Sequence, residues 1–445
     1  MELRPYQANA LNQLRNVARH GHKGAILRMA TGAGKTATAG FVVASAVAKG
    51  NTVAWFAHRR ELIDQARTTL AAIGLGDAID DGRISFGTMQ GGARNIAPPS
   101  LVVVDEGHRA LSKSYRKILD AWPNAFRLLL TGTVWRGDGQ AFAPYATAIV
   151  DGPSIAELTA AGWLAPACYW SIPGASLDEL ERKRGDFTAA SNANVFDRPT
   201  LVADVVQTYQ ARASERPALV YASGVEHAKR LCEQFKAAGI NAASVDGKTP
   251  KKQRRAIFDA MRQGALDVLT SADLLVEGVD FPRVAAIVMA RATQSPIIWR
   301  QAVGRGLRTF RGKSDCMVLD HGGNAMRLGF VCDPLVYEPK SGNRKPQPRA
   351  PSVLTCEQCF AVLPSRPRPT ECARCGAPIP ETKRRVAVAA GELVQLNASP
   401  TRKRNAINWQ LWRQIDRERR RRGYRPGWTW HQYQIKNGLR KWGTT

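Results

Sequence analysis

The sequence predicts an α/β protein of two tandem domains, each built on a parallel sheet, followed by a small cysteine module and a basic tail. Three observations predict it. Short apolar runs alternate with amphipathic stretches through residues 1–150 and again through residues 201–335, the pattern of strands covered by helices on both faces. Two Cys-x-x-Cys pairs lie within residues 354–380. The last 65 residues carry 16 Lys and Arg against 4 Asp and Glu.

In the first domain the strand-like runs are residues 25–29, 52–57, 83–87, 101–105 and 126–131, with helical periodicity over 35–49 and 60–73 between them. Residues 151–200 are poor in regular pattern and read as a connector. In the second domain the strand-like runs are 218–222, 267–270, 284–290 and 316–320, and the helical stretches 225–238, 251–263 and 296–307. Residues 338–351, rich in Pro, Lys and Arg, read as a linker that sets the C-terminal region apart as an independent unit. The cysteine module occupies 354–380, and residues 390–445 form a basic region rich in tryptophan.

The bulk numbers narrow the function. The 445 residues allow two to four domains. A formal net charge of +27 implies a polyanionic partner, nucleic acid first and an anionic membrane surface second. A basic tail serving solubility alone is the plain alternative. No stretch reaches the roughly 20 apolar residues of a membrane span, and Met1-Glu2-Leu3-Arg4-Pro5 lacks the apolar core of a signal peptide. The expected location is therefore the cytoplasm. Of eight cysteines, Cys168, Cys232, Cys316 and Cys332 are scattered and read as ordinary buried thiols.

Two motifs carry nucleotide chemistry. Ala30-Thr31-Gly32-Ala33-Gly34-Lys35-Thr36 follows a strand and opens a helix. Its glycines let backbone N–H groups close around phosphate, Lys35 would reach the β- and γ-phosphates, and Thr36 would ligate Mg²⁺. The strict phosphate-loop pattern has Gly where Met29 stands, so this is a variant. In Leu101-Val102-Val103-Val104-Asp105-Glu106-Gly107-His108 an apolar strand delivers two adjacent carboxylates to the end of a sheet. Asp105 is suited to hold Mg²⁺, and Glu106 to orient and deprotonate an attacking water. Alone, such a pair is usually a solvated loop; beyond a phosphate loop it is the expected second half of an NTPase site.

These residues resemble helicase superfamily 2, of the DEAD/DEAH-box type, over about residues 3–325. The resemblance implies two RecA-like domains, an ATP-binding one over 1–150 and a helicase C-terminal one over 201–335. The remaining family motifs come in order. Arg4-Pro5-Tyr6-Gln7 is similar to the adenine-reading segment, with Gln7 as reader. His58-Arg59-Arg60-Glu61-Leu62 and Phe86-Gly87-Thr88-Met89-Gln90 resemble strand-tracking motifs, which implies nucleic-acid contacts from Arg59, Arg60, Thr88 and Gln90. Leu130-Thr131-Gly132-Thr133 resembles the coupling motif, with Val134 where the family usually has Pro.

In the second domain, Leu219-Val220-Tyr221-Ala222 and Asp246-Gly247 resemble early motifs. Glu277-Gly278-Val279-Asp280-Phe281-Pro282 resembles the Gly-x-Asp-x-Pro motif, which places Gly278 and Asp280 at the nucleotide. Gln301-Ala302-Val303-Gly304-Arg305-Gly306-Leu307-Arg308 matches the Gln-x-x-Gly-Arg-x-x-Arg signature. By resemblance, Arg305 and Arg308 cross the cleft and act on the γ-phosphate, worth about 10³–10⁵ in rate. The structural alternative is a basic helix face paired with acids. With His108 closing the box, the implied catalytic set is Lys35, Asp105, Glu106, His108, Arg305 and Arg308.

An Asp-Glu-Gly-His box and a last motif that begins with Gln point away from the common RNA-helicase branch. Asp320-His321-Gly322-Gly323-Asn324 with Arg327-Leu328-Gly329 resembles a bacterial and phage group that includes the DNA-repair ATPase RadD. That resemblance implies DNA rather than RNA as partner, a bacterial cell or phage-infected host, and a single-strand-binding, repair or replication protein as a further partner.

Cys356, Cys359, Cys372 and Cys375, two pairs 12 residues apart, suit a closed tetrahedral Zn²⁺ site of structural kind. In the tail, Arg402-Lys403-Arg404, Trp409, Trp412, Arg417 and the run 419–422 precede Trp428, Trp430 and Tyr433. Cations such as Arg420 and Arg421 can neutralise phosphates, and faces such as Trp428 and Trp430 can stack on bases. The alternative is a small tryptophan core with a solvated arginine face.

The expected activity is therefore ATP-driven strand separation or remodelling of DNA. Rival readings are an ATPase that translocates without unwinding, an RNA helicase, and a non-enzymatic nucleic-acid-binding module. The presence of Lys35, Glu106 and Arg308 argues against the last.

Overall fold

The computed structural model describes residues 2–93, 96–107, 112–132, 144–171, 180–183, 186–196, 199–275, 279–333, 337–338, 347–348, 353–365, 367–379, 409–422 and 432. His108, Gly278, Trp428 and Trp430 lie outside them. The chain divides into two compact units, residues 1–380 and 381–445.

The first part of unit one runs α1 (Pro5–Arg19), β1 (Gly24–Arg28), α2 (Lys35–Val47), β2 (Val53–Ala57), α3 (Arg60–Ala72), α4 (Gly76–Asp80), β3 (Ile84–Thr88), β4 (Leu101–Val104), α5 (Lys113–Ala121), β5 (Phe126–Thr131), β6 (Ala148–Asp151) and α6 (Ile155–Ala160). Its six strands form a parallel sheet in the order β3-β2-β4-β5-β1-β6. Strands β2 and β4 are buried along their whole length, which is why they read as continuous apolar runs rather than alternating ones.

Then come β7 (Ala167–Ser171), β8 (Arg182–Lys183), β9 (Asp186–Phe187), α7 (Ala189–Phe196), α8 (Pro199–Ala213), β10 (Ala218–Ala222), α9 (Val225–Ala237), β11 (Ala242–Ser244), α10 (Lys251–Gln263), β12 (Val268–Ser271), β13 (Ala286–Ala290), α11 (Pro296–Gly306), β14 (Cys316–Asp320) and α12 (Asn324–Leu328). The second sheet is again six-stranded and parallel, in the order β11-β12-β10-β13-β14-β7. Two parallel-sheet α/β domains are thus present.

Residues 151–200, expected as a connector without regular pattern, carry α6 and the strand β7, which pairs with β14 as the last strand of the second sheet. Strand β7 leaves little trace in the sequence because Tyr169, Trp170 and Ser171 are its only buried residues.

After two short strands, β15 (Tyr337–Glu338) and β16 (Gln347–Pro348), the cysteine module folds around the hairpin β17 (Val353–Thr355) and β18 (Val362–Pro364). The linker implies an independent unit, and the structure corrects this. Trp170 of β7 bridges to Ala361, and the Ser171 N–H donates to the Phe360 carbonyl (3.3 Å). Arg374 and Arg212 stack against the Trp170 ring at 5.2 and 5.6 Å. Arg374 also pairs with Asp315 (3.6 Å), and Arg212 donates to the Cys359 carbonyl (3.1 Å). The module covers the outer edge of the second sheet, and the division of the chain falls after it. Unit two has one described helix, α13 (Trp409–Arg421). Among the described residues no helix is long and apolar enough to cross a membrane.

A chain ending at residue 380 is expected to melt about 5 °C or more above one ending at residue 352, since the shorter chain exposes the large side chain of Trp170. Equal melting temperatures in calorimetry would show that the module contributes nothing to the sheet edge.

Candidate active site

The carboxyl ends of β1, β4 and β5 lie side by side in the first sheet, the place where open α/β sheets bind ligands. The phosphate loop leaves β1 through Met29, whose side chain is buried in the core, so the variant position does packing work that glycine could not. Gly32 and Gly34 have φ of +86° and +80°, in the left-handed region that favours glycine. Lys35 opens α2, and its ammonium donates to the Met29 carbonyl at 3.1 Å. Burial pushes the Lys35 pKa down, against the opposing pull of the Glu106 and Asp105 carboxylates.

Pro5 starts α1 at a position where a missing N–H costs nothing. The Gln7 Oε1 accepts from the Arg4 N–H (2.9 Å), while its Nε2 donates to the Ala33 carbonyl (3.1 Å). The Gln7 amide therefore rests directly on the loop.

Asp105 and Glu106 are both buried at the end of β4. The Glu106 N–H donates to Asp105 Oδ1 at 2.9 Å. Glu106 has φ +52°, rare for a side chain of this size and characteristic of functional turns. Gly107 comes next because a methyl there would sit 2.8 Å from Leu129 Cβ on β5. Burial first, then the Glu106 carboxylate, pushes the Asp105 carboxyl up to about 6.

The second domain closes the site through α11. Gly304 lies against Thr31 of the phosphate loop, and a Cβ there would meet Thr31 Cβ at 2.8 Å. One turn earlier, Gln301 Nε2 is 3.5 Å from Glu106 Oε2. Arg305 donates to the Val279 carbonyl (2.6 Å), and Arg308 pairs with Asp280. Burial pulls the Arg308 pKa down to about 10, opposed by Asp280. One cavity of about 480 Å³ is lined by Thr31, Gly32, Gly34, Lys35, Thr36, Asp105 and Glu106 from one side, and by Asp280, Gln301, Arg305 and Arg308 from the other. Gln7 borders it and Ala33 is buried beneath. Thr36 and Asp105 offer a hydroxyl and a carboxylate to a divalent cation in the same cavity, a donor set that fits Mg²⁺.

The other candidates lie apart from this cavity. Arg59, Arg60, Thr88 and Gln90 stand at the carboxyl ends of β2 and β3, with Arg60 and Gln90 exposed. Arg59 donates to the Leu274 carbonyl of the second domain (3.4 Å), and Glu61 next to it pairs with Arg254 of α10 at 2.7 Å. Lys251, Lys252 and Arg255 are exposed on the same helix. In α13, Arg419 and Arg420 donate to Asp416 (2.8 and 3.0 Å), and Arg421 lies 3.5 Å from Glu418. Much of that helix's charge is thus met within the helix, although Arg420 and Arg421 remain about three-quarters exposed. The four thiols of Cys356, Cys359, Cys372 and Cys375 lie within 4.8 Å of one another, with two Sγ–Sγ distances of 3.7 Å.

Two residues of the site have no task in the sequence reading: Gln301, present only as a letter of its motif, and Lys313, in no motif at all. Lys313 lies half-buried behind the end of α11. Its ammonium donates to the carbonyls of Val284 (2.5 Å), Gly306 (2.5 Å) and Arg308 (2.7 Å). A cation at a helix carboxyl end satisfies orphan carbonyls and opposes the helix dipole. Here it also fixes the backbone that carries Arg308. No signal in one sequence separates such a lysine from a surface one.

Comparisons with known proteins agree with this geometry. The family model described as "Type III restriction enzyme, res subunit" matches residues 1–136, and the one described as "Helicase conserved C-terminal domain" matches residues 200–310. Together they span more than half of the chain and every catalytic side chain proposed for the cleft. The chain belongs to helicase superfamily 2. As a superfamily 2 protein it is an ATP-hydrolysing enzyme that works with nucleic acid. A Lactococcus phage protein of 51.5 kDa is 29% identical over 340 residues, covering 75% of this chain and 74% of that one. A Saccharomyces cerevisiae protein named as an ATP-dependent helicase is 27% identical over 365 residues, covering 75% of this chain but only 53% of its own length. A fragment structure named as an HsdR subunit of a type I restriction enzyme from Vibrio vulnificus shares the fold, with a TM-score of 0.58 and 21% identity over 72% of this chain and 64% of that one.

Lys313→Met is expected to lower kcat for ATP about tenfold by loosening the backbone of Arg308. Burial pulls the Lys313 pKa down to about 8, with Cys316 and Asp315 opposing and Arg308 and Arg216 assisting. Above that pH the amine loses one of its three donors, so wild-type kcat should fall, whereas Lys313→Arg should stay flat. The folded-state value lies below the ordinary 10.5. The unfolded chain therefore holds the extra proton across this window, and this group's contribution to stability rises with pH. Titration of Lys313 therefore does not itself weaken the fold as pH rises, and Lys313→Arg controls for the other groups that titrate there. Identical pH profiles for wild type and Lys313→Arg would show that Lys313 does not act on the site.

Proposed function

We propose that this enzyme is a motor that couples ATP hydrolysis between its two α/β domains to movement along DNA, separating strands or remodelling what is bound there. The observation that carries the reading is the shared cavity. A phosphate-complementary set from the first domain faces a cationic set from the second across it, and α11 touches the phosphate loop.

In this reading Lys35 and the loop N–H groups bind the β- and γ-phosphates, and Gln7 reads the base. Thr36 and Asp105 would hold Mg²⁺, which neutralises phosphate charge. Glu106 orients the attacking water and takes its proton, and Gln301 holds the Glu106 carboxylate in place. Arg305 and Arg308 supply positive charge as negative charge develops on the transferring phosphoryl group; Arg308 exchanges its Asp280 partner for phosphate. Contacts that exist only with nucleotide between the domains then change the cleft between binding and release.

Several features support DNA as the track. The first-domain family model is named for a restriction-enzyme subunit, and so is the solved relative. Arg59, Arg60, Thr88, Gln90 and the basic face of α10 offer backbone contacts on the two domains beside the Glu61–Arg254 pair. The tail adds phosphate contacts through Arg420 and Arg421.

The cysteine module is proposed to hold one structural Zn²⁺. A tetrahedral site with Zn–S of about 2.3 Å requires sulfur–sulfur edges of about 3.8 Å, close to the distances present. Burial raises the Cys372 thiol, but backbone N–H groups of Cys375 and Arg374 and the neighbouring thiols of Cys359 and Cys375 outweigh it and push it down, while burial and the thiols of Cys375, Cys372 and Cys356 push Cys359 up.

The test is ATPase activity with and without matched DNA and RNA, together with strand displacement and metal analysis. DNA should stimulate more than RNA, Glu106→Gln should bind ATP without turnover, and Arg308→Ala should lower kcat more than about tenfold with DNA affinity little changed. The chain should carry one zinc. Loss of DNA binding with intact ATPase in Arg308→Ala would make that residue a strand contact and refute the site. Greater stimulation by RNA would overturn the choice of track.

A further inference from the structure

The two turns that carry the cysteine pairs are built alike. In the first, the Cys356 N–H donates to the Ala361 carbonyl (2.9 Å) and the Phe360 N–H to the Cys356 carbonyl (2.9 Å). In the second, the Cys372 N–H donates to the Ala377 carbonyl (2.7 Å) and the Gly376 N–H to the Cys372 carbonyl (2.9 Å). Each turn has a left-handed residue directly after its second cysteine. In the second turn that residue is Gly376, at φ +71°, the residue type that backbone sterics favour there. In the first it is Phe360, at φ +60°.

Packing does not account for the phenylalanine. The core of the module is made by Cys356, Ala361, Leu363 and Cys372, and the Phe360 side chain stays outside it, with the residue 47% exposed. A lone exposed phenylalanine is ordinary; one held in a glycine conformation is not. Among the described residues only one other non-glycine residue has a positive φ, and that is Glu106 at the catalytic turn. Backbone strain of this kind persists where function requires the side chain.

The main chain beneath the ring is fixed to the second sheet. The Phe360 carbonyl accepts from the Ser171 N–H of β7 (3.3 Å), and Ala361 bridges to Trp170. Positive charge adjoins it: Arg212 donates to the Cys359 carbonyl (3.1 Å), and the half-exposed Arg374 lies over the Trp170 ring. A flat apolar face on a fixed backbone, with guanidinium groups beside it, suits an unpaired base flanked by phosphates. It suits an apolar protein surface less well. Among the described residues the other exposed large apolar side chains, Ile149, Val225 and Phe310, belong to other segments of the chain.

We propose that Phe360 is a stacking platform for an unpaired base of single-stranded DNA, a binding site on the cysteine module separate from the motor's own track. The sheet order puts the module beside β7, five strand spacings from β11, or about 24 Å at about 4.8 Å each. The platform therefore meets a different stretch of strand from the basic face of α10, which follows β11. The proposal rests on the motor reading for one point, that the polymer bound is DNA.

Glycine is the residue this turn prefers, so Phe360→Gly removes the ring without opposing the fold. It should keep its zinc and melt no lower than wild type. Full-length wild type, Phe360→Gly, Phe360→Leu and Phe360→Trp are compared by fluorescence anisotropy on single-stranded DNA, on an abasic strand of the same length and on duplex, each over a salt series. The Gly and Leu variants should bind the single strand about tenfold more weakly, and the Trp variant within about threefold of wild type. The slope of log K against log salt should not change, because no phosphate contact is lost. On the abasic strand, and on duplex, whose bases are already stacked on one another, all four chains should bind alike. Unchanged single-strand affinity in Phe360→Gly would overturn the proposal. So would an equal loss on single strand, abasic strand and duplex, which would make the effect one of the module's fold or of phosphate contact. Should the Gly variant lose zinc, the Leu–Trp comparison decides, because Leu fills volume without a flat face, and equal binding by those two would refute the platform. An ATPase that DNA does not stimulate would remove the motor reading, and the affinity comparison would still decide this one.

Discussion

The approach of helix α11 to the phosphate loop sets the terms for the rest of the molecule. Gly304 stands where any side chain would collide with Thr31, and that closeness brings Gln301 to Glu106 and Arg305 and Arg308 into the first domain's cavity. Each flanking feature serves the same contact. Gly32 leaves room for Leu164 and Arg308, whose side chains approach within 3.1 and 3.7 Å of where its Cβ would be. Lys313 ties the far end of the helix. The glycine of the Gln-x-x-Gly-Arg signature is thus a demand of two domains meeting, invisible from either alone.

Electrostatics are set by that geometry. Closing the cleft removes Lys35, Asp105 and Arg308 from water, and burial is the first cause of every one of their shifts. Lys35 and Arg308 are pushed toward losing charge, and Asp105 toward gaining a proton. A bound nucleotide with its cation would reverse the penalty on all three, since each then gains an opposite charge at close range. The site is built for a charge pattern it does not itself supply.

The legible parts of the sequence were those in which one local pattern decides the structure. Buried parallel strands such as β2 and β4 read as unbroken apolar runs, and Gly34-Lys35-Thr36 after β1 sits as its spacing implies. Strand β7 was not legible, because its pairing with β14 is a tertiary choice and only three of its residues are buried. The docking of the cysteine module was hidden for a related reason. A linker of Pro, Lys and Arg says nothing of where the chain returns, and Trp170 gave no sign that Ala361 would lie beside it. Gln301 and Lys313 share a third reason: each acts through a carboxylate or carbonyls that no local pattern reveals. The Asp280–Arg308 pair joins two residues read separately, one toward nucleotide and one toward charge.

The position of β7 has a consequence for how the chain is made. Its partner in the second sheet is β14, and in the register Ala167 meets Cys316, about 150 residues later, a high-contact-order pairing. The first sheet needs nothing beyond β6, so it can assemble while the second is still being synthesised. At about 5–20 residues per second, β7 waits roughly 8–30 s for β14 to emerge. During that interval Tyr169 and Trp170 belong to an unpaired apolar strand on a nascent chain. The second domain is therefore the stage of synthesis at which a holdase chaperone, or a pause in translation, has most to act on.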